Sequence, residues 1–306
     1  PALSLSRSQV AKGIEPLSGM GTSAHDIGLR RAPRRRISWV GVFGALLLAV
    51  QIMLVLLPGQ IAPYDPTATV ASPLLPPDGE HLLGTNDVGQ DLLSELIWGT
   101  RTSLTIGVLA ALLALSIALL VGVVAAYFGG WIDATLMRIV DLMLVIPVFP
   151  LLLLVAIYLG PGLLKVVLLI GGLAWAEGAR VFRSQALAVR RAEYVTAANA
   201  VGVPDRRIMS HYLLPAVMPL AVGQFALMVS RAILVEAGLS FLGLGDPTQK
   251  SWGSMLNFAR AGGAYMTRAW RWWVMPPGLM ISFAILGFAF VGYALEEWLD
   301  PTLRSL

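Results

Sequence analysis

The sequence lacks cysteine and is poor in charged residues. With no cysteine among 306 residues, disulfides, thiolate metal sites and cysteine nucleophiles are excluded. Charged residues make up 13% of the chain and hydrophobic residues 57%, whereas charged residues make up about 25% of an ordinary soluble domain. The three histidines are far apart in sequence and form no metal-ligand spacing. This composition argues against a soluble enzyme and predicts a membrane protein without a metal or cofactor of its own.

Lysine is also rare, and its placement excludes one kind of chemistry. None of the lysines, Lys12, Lys165 and Lys250, follows a glycine, so the chain has no GxxxxGK[ST] phosphate loop. It is therefore predicted not to be an ATPase by that chemistry. The sequence shows no cluster of a nucleophile, a base or metal ligands, which a membrane enzyme would need. The net charge of +4, with clustered bases, argues against nucleic acid as a partner.

Long windows without charged residues define the predicted membrane spans. A bilayer core of about 30 Å requires about 20 apolar residues in a helix. Four windows qualify outright: 37–57, 102–132, 142–164 and 274–295. Two further spans carry charge at their ends, one from Gly162 to about Phe182 and one over 213–230 that continues beyond Arg231. We therefore predict an all-α membrane protein with six transmembrane helices.

The distribution of basic residues predicts the orientation. Seven bases lie in residues 1–36, whereas residues 58–100 hold six acids and no base. Lysine and arginine are retained on the cytoplasmic side, so both termini are expected there. The predicted organisation is a disordered basic tail over 1–36, an anchor helix over 37–57, an extracytoplasmic segment over 58–100, and a core of five spans over 101–303.

Residues 86–98 have an amphipathic pattern in the middle of the acidic segment. Apolar residues recur there at helical spacing, and Asp87 and Gln90 are spaced as a capping box. The pattern predicts a short amphipathic helix. Such a helix could lie on the outer membrane surface and meet a partner, or pack back on its own domain.

The longest predicted inside loop, residues 183–212, is rich in small residues. Residues 194–201 can form a short helix that Gly202 ends as a C′ glycine, and Pro204 suits the start of a second helix. Ala197, Ala198 and Ala200 offer little side-chain bulk. That suits a close fit into a cleft on another protein, although a plain connecting loop is the alternative interpretation.

Ionisable residues near the predicted spans are candidate functional groups. Arg231 and Glu236 lie about 140° apart around a helix, so they are not expected to pair. Arg231 is instead expected to meet a neighbouring helix or subunit. Glu177 and Arg180, three residues apart, can pair on one helix face.

Several motifs together resemble those of ABC importer permeases. Thr196-Ala197-Ala198, Gly202 and Leu214-Pro215 have the spacing of the EAA signature, with Thr196 at the usual glutamate and Tyr212 at a usual aliphatic position. The segments HLLGTNDVGQDLLSELIWGTRTSL, YFGGWIDATLMRIVDLMLVIP and GLSFLGLGDPTQKSWGSML extend the similarity. In the first of them, Asn86 and Gln90 replace a commonly acidic and a commonly basic residue. Residues 37–303 thus resemble the second permease subunit of oligopeptide, dipeptide, nickel and related importers.

The resemblance implies a type I ABC importer permease fold and a set of partners. A second homologous permease subunit would complete the translocation pathway for short peptides. Two cytoplasmic ATPase subunits or domains would hold ATP and magnesium, and an extracytoplasmic binding protein would select and deliver the substrate. The location implied is the lipid bilayer of a bacterial or archaeal cytoplasmic membrane. Nickel complexes, glutathione-like compounds and oligosaccharides are alternative cargoes, and an ion-coupled secondary transporter is the alternative mechanism.

The resemblance also implies two sets of site residues. The candidate ATPase-coupling residues are Glu193, Thr196, Ala197, Ala198, Gly202, Leu214 and Pro215. The candidate contacts with the binding protein are Asp87, Asp91, Glu95, Gly245 and Trp252. Because the spans offer few fixed charges, substrate selectivity is expected to reside in the binding protein.

Overall fold

The computed structural model describes residues 38–299, of which Leu299 is described by its backbone alone. The predicted basic tail over 1–36 lies outside these residues. Within the described range the regular structure is helical, with two isolated β-bridges, Thr69 to Gln90 and Thr85 to Asp91, and no longer strand. The chain is therefore all-α where it is described, as the sequence predicts.

Thirteen α-helices follow one another in the described part of the chain. They are α1 Trp39–Leu56, α2 Pro58–Ile61, α3 Leu92–Phe128, α4 Gly130–Val145, α5 Val148–Leu159, α6 Leu163–Leu173, α7 Ala176–Arg190, α8 Glu193–Ala200, α9 Asp205–Ile208, α10 Leu214–Phe241, α11 Trp252–Ala261, α12 Trp270–Trp273 and α13 Met275–Leu299. A π-helical turn, Met209–Leu213, joins α9 to α10, and a 3₁₀ turn, Ala264–Met266, follows α11.

Four helical stretches are long and apolar enough to cross a membrane. They are α1, α3, the continuous stretch Asp205–Phe241 and the stretch Trp270–Trp298. The pair α4 and α5 makes a fifth candidate, bent by 85° at its break. The uninterrupted helix predicted over 142–164 is wrong, because Pro147 is extended and cannot donate a backbone hydrogen bond.

The remaining predicted span, Gly162 to about Phe182, is divided between two helices. α6 has 11 residues, a length of about 16 Å that falls short of a bilayer core of about 30 Å. α7 then begins at Ala176 and carries most of the charge of this region. The sixth span therefore stays a prediction.

The helix predicted over 86–98 is wrong in its first half. The helix begins only at Leu92 and continues as α3 to Phe128. Its N-cap is Asp91, whose carboxylate accepts a hydrogen bond from the Ser94 amide at 2.8 Å. Before it, the Asn86 side chain accepts from the amides of Val88 and Gln90, both at 2.9 Å. This local turn competes with helix formation, so Asp87 caps nothing.

Small residues on α3 let the other helices approach it closely. Ala110, Ala114 and Ala118 are fully buried, and α3 packs against α6, α7 and α10. A Cβ atom at Gly171 of α6 would lie 2.7 Å from the Ala110 carbonyl oxygen, so only glycine fits there. Close packing of this kind is typical of helices that associate within membranes. α3 is thus the central helix to which the functional segments are attached.

Candidate functional site

The segment that holds the predicted ATPase-coupling residues, Glu193 to Pro215, is here called the coupling segment. It contains a short helix that ends in a glycine turn. α8 ends at Ala200, and Gly202 has φ +79°. The Gly202 amide donates to the Asn199 carbonyl at 3.0 Å and the Val203 amide donates to the Ala198 carbonyl at 3.1 Å, the two bonds of a Schellman motif. A side chain at Gly202 would meet open space, so the backbone conformation alone demands glycine. The predicted helix and its C′ glycine are confirmed.

α8 has one buried face and one exposed face. Val195 is completely buried and Ala198 is only 7% exposed, so both point into the protein's own core. Glu193, Thr196 and Ala197 are exposed. The expectation that Ala198 contributes a free small-residue surface is therefore wrong. The segment still offers an exposed face of low bulk, because Ala197, Ala200 and Gly202 lie on the surface.

Two side chains fasten this segment to the end of α3. The Tyr127 hydroxyl donates to Asp205 Oδ1 at 2.7 Å and lies 3.4 Å from Asn199 Oδ1. Arg190 Nη1 donates to the Ala126 carbonyl at 3.0 Å. Sequence reasoning gives no role to Tyr127 or Arg190, because their partners are far away along the chain. Tyr127 therefore joins α8 and α9 to the central helix, and Arg190 joins the end of α7 to it.

Leu214 and Pro215 open α10, directly after the π-helical turn. Leu214 is half-buried and Pro215 is exposed. Pro215 has no amide to donate to the preceding turn, which is the π-helical turn Met209–Leu213. The coupling segment consequently runs into a single helical stretch that ends at Phe241.

A second polar group lies where the N-terminal part of α3 meets the loop before α11. Lys250 Nζ lies 2.5 Å from Glu95 Oε1 and 2.8 Å from Gln90 Oε1. The side-chain amide of Asn86, through Nδ2, donates to Gln90 Oε1 at 2.9 Å and to Glu95 Oε1 at 3.0 Å. The Asn86 and Gln90 substitutions noted in the sequence thus form a neutral hydrogen-bonded pair inside this cluster. Burial raises the energy of an unpaired carboxylate, so Lys250 compensates Glu95.

Asp91 is held in the same region by buried partners. Its carboxylate accepts from the Ser94 hydroxyl at 2.7 Å as well as from the Ser94 amide. Its other oxygen lies 3.0 Å from His81 Nδ1. Asp91 is completely buried, so it joins the loop at His81 to the start of α3.

Trp252 and Glu236 lie in a buried polar layer behind this cluster. The Trp252 amide donates to Ser103 Oγ at 3.2 Å and its indole nitrogen donates to Thr100 Oγ1 at 3.2 Å. Glu236 accepts from Ser103 Oγ at 3.1 Å and from Ser240 Oγ at 2.7 Å. These bonds join α3, α10 and α11 at one level.

The predicted contacts with a binding protein are thereby largely corrected. Asp91, Glu95 and Trp252 are buried, so their side chains cannot touch another protein in this conformation. Gly245 is half-buried, and Asp87 alone of the five is exposed. The helical pattern suggested a charged outer face, but the partners that bury Asp91 and Glu95 come from distant parts of the chain.

Arg231 forms an ion pair between two helices. It pairs with Glu177 of α7, while Glu236 is engaged elsewhere, so the prediction that Arg231 and Glu236 do not pair is confirmed. The predicted pairing of Glu177 with Arg180 is wrong, because each takes a partner on a different helix. Arg180 pairs with Asp141 of α4. A further pair, Arg183 with Asp133 at 2.5 Å, is less exposed.

Comparison with known proteins agrees with this architecture. Residues 118–305 match the family model described as "Binding-protein-dependent transport system inner membrane component". The chain is 36% identical to an oligopeptide transport system permease protein, OppC, of Mycobacterium tuberculosis over 93% of this chain and 97% of that one. It is 34% identical to the dipeptide transport system permease protein DppC of Bacillus subtilis, over 90% and 85%.

A third relative extends the same pattern. The di/tripeptide transport system permease protein DppC of Pseudomonas aeruginosa is 36% identical over 87% of this chain and 89% of its own. The likeness therefore covers nearly the full length of both partners in each comparison. With its apolar helices, the chain is a multi-pass membrane protein, and it belongs to the family of inner membrane permease components of binding-protein-dependent ABC importers.

Proposed function

We propose that this chain is a transmembrane permease subunit of an ATP-driven importer of short peptides. The observation that carries the proposal is the near full-length similarity to three permeases whose names specify oligopeptides, dipeptides or di- and tripeptides. None of those names mentions nickel, glutathione or an oligosaccharide, so these alternative cargoes are not favoured. The chain forms the pathway together with a second homologous permease subunit.

The proposed setting is the cytoplasmic membrane of a bacterium or archaeon. In this proposal the chain has six spans, both termini lie in the cytoplasm and the 58–100 segment lies outside. The base-rich 183–212 loop, with Arg190, Arg191, Arg206 and Arg207, then lies inside, in agreement with the positive-inside rule. α6 and α7 together provide the sixth span in this arrangement.

The exposed face of α8 is proposed to dock on an ATPase subunit. Glu193, Thr196, Ala197 and Gly202 form its surface, and the low side-chain bulk supports a close fit. Ala198 packs in the core beneath this surface and supports it. Leu214 and Pro215 begin the helix that carries the motion into the membrane. Two ATPase subunits or domains supply the ATP and magnesium sites, and this chain binds no cofactor.

The outer surface near the start of α3 is proposed to receive the extracytoplasmic binding protein. Asp87 is exposed there and can steer a positively charged patch. Asp91, Glu95, Gly245 and Trp252 act indirectly in this proposal, since their packing and hydrogen bonds hold the surface in shape.

Reconstitution of the complete transporter in liposomes tests the proposal. Uptake of a labelled di- or tripeptide should require both internal ATP and the binding protein, and the chain should co-purify with a Walker-motif ATPase. A nickel complex or an oligosaccharide should not compete. Peptide uptake that follows an imposed ion gradient and continues without ATP would instead identify a secondary transporter.

A further inference from the structure

We infer that the exposed charges of α7 line the water-filled pathway and bind the charged termini of the peptide. Two ion pairs carry this inference: Glu177 with Arg231 of α10, and Arg180 with Asp141 of α4. Because Glu177 and Arg180 are three residues apart on α7, they share one helix face. α7 packs against both α4 and α10. The four side chains therefore form one strip of alternating sign, here called the charged strip.

Arg231 gives the depth of one end of the strip, whereas Arg180 lies two residues before the predicted inner end of its span near Phe182. Arg231 lies ten positions before the end of α10 at Phe241 and seventeen after its start at Leu214. At a rise of 1.5 Å per residue these separations are about 15 Å and about 26 Å. Arg231 is thus far from both ends of a stretch that is otherwise apolar enough to cross a membrane.

The strip is nevertheless exposed in this chain. The side chains of Arg231 and Glu177 are 63% and 60% exposed, and those of Arg180 and Asp141 are 52% and 43% exposed. Ionised groups at this depth do not face lipid, but water-filled cavities or the interior of an assembly. The buried centre of a protein interface is depleted in charge, so four charges with half their surface free are better matched to an aqueous pathway.

The chemistry of the strip matches what every unmodified peptide carries at neutral pH. The guanidinium of Arg231 or Arg180 can bind a terminal carboxylate through two parallel hydrogen bonds, and Glu177 or Asp141 can accept from a terminal ammonium. Each peptide terminus must displace an existing ion-pair partner, so binding is weak and release is easy. Weak binding suits a conduit, and recognition of the termini does not discriminate between side chains.

The location of the strip is tested first, independently of transport. Arg231→Cys and Glu177→Cys are introduced singly into the complete complex, whose other subunits carry no reactive cysteine; this chain has none of its own. Both should react with a membrane-impermeant thiol reagent, and a saturating dipeptide delivered by the binding protein should slow the reaction. The matched control is Leu46→Cys on the exposed apolar face of α1, which should stay unreactive. Unreactive cysteines at 177 and 231 in the assembled complex would overturn the inference.

The ligand is tested by transport with modified peptides, and this part rests on the proposed function. Loss of one charge-assisted partner should lower kcat/KM about tenfold or more. Arg231→Gln should do so for a tripeptide with a free carboxylate and leave its C-terminally amidated form at the wild-type rate. Glu177→Gln should instead lower kcat/KM for a tripeptide with a free N-terminal amine and leave its N-acetylated form at the wild-type rate. Arg231→Lys should restore part of the uptake that Arg231→Gln loses.

The outcomes separate this inference from the proposed function. Equal losses for modified and unmodified peptides would give the strip a merely structural role and refute terminus binding, while ATP-driven peptide uptake by the wild-type complex would leave the proposed function standing. Absence of peptide uptake by the wild-type complex would refute the proposed function itself. The thiol reactivity at positions 177 and 231 would still decide whether the strip faces water.

Discussion

Replacement of Lys250 by methionine should destabilise the chain through the carboxylate that it leaves behind. In the folded protein Lys250 Nζ lies 2.5 Å from Glu95 Oε1, and the Glu95 side chain is only 1% exposed. The other carboxylate oxygen of Glu95 has no hydrogen-bond partner. After the substitution the Asn86 amide would be the remaining donor to Glu95. In the variant the buried carboxylate of Glu95 must therefore either stay ionised without a compensating cation or take up a proton.

The expected magnitude follows from the degree of burial. Removal of one partner from a buried ion pair costs about 3–5 kcal/mol. The hydrogen bond from Asn86 persists, and Lys250 itself is 16% exposed, so we expect a loss of about 2–4 kcal/mol in the free energy of unfolding. The double variant Glu95→Gln/Lys250→Met has no charge left in this cluster and should recover most of that loss.

Thermal unfolding of the purified complex in detergent measures this effect. The control is Lys165→Met, because Lys165 is an exposed lysine whose amine donates to the Leu159 carbonyl at 2.7 Å. The single Lys250→Met variant should melt several degrees below the control, and the double variant close to it. A single variant as stable as the control, or a double variant as unstable as the single one, would refute the reasoning.

Three further predictions concern segments between the predicted spans. Gly202→Val should strain the left-handed turn by about 1–2 kcal/mol and reduce ATP-driven uptake. Gly202→Asn should reduce uptake less. Equal uptake by both variants and the wild type would contradict a requirement for the left-handed conformation at this position. Ala197→Glu should leave subunit abundance unchanged and weaken ATPase binding in pull-down, whereas Ala198→Glu should lower abundance because its side chain is buried; the opposite order would invert the assigned faces. The Thr248 hydroxyl, which donates to the carboxylate at 2.6 Å, holds the pKa of Asp246 below its ordinary value. That stabilisation is present above the unfolded pKa of about 4 and is lost as pH falls through the folded value, so the Tm difference between wild type and Thr248→Val should shrink on acidification, and a constant difference would contradict it.

The elements that the sequence predicts well are those whose cause is local. A charge-free window of bilayer length has few alternatives to a helix, because every backbone group must be satisfied within the segment. The window 37–57 accordingly coincides with α1, Trp39–Leu56. The turn at Gly202 is equally local, since a C′ glycine acts through its own backbone conformation.

The elements that the sequence predicts poorly depend on contacts between residues far apart in the chain. Apolar periodicity over 86–98 is real, but the Asn86 turn interrupts the helix, and Lys250 reaches Glu95 across 155 positions of sequence. A pattern within one segment cannot reveal that its charged face is buried by another segment. The proline at 147 is evident in the sequence, but the 85° angle of the bend is not, because α4 packs against α3 and α7 whereas α5 packs against α6.

The charges of α7 show why their number alone is a poor guide to transport. A low charge content suggests that the spans offer cargo little to bind, and that argument treats every charge as equally available. Packing makes them unequal: Glu95 and Glu236 are buried among donors, whereas Glu177 and Arg231 keep most of their surface free. The low-dielectric walls of a water-filled pathway focus the field of a few free charges into it. A permease can therefore be poor in charge overall and still present fixed charges of both signs where a zwitterionic peptide would pass.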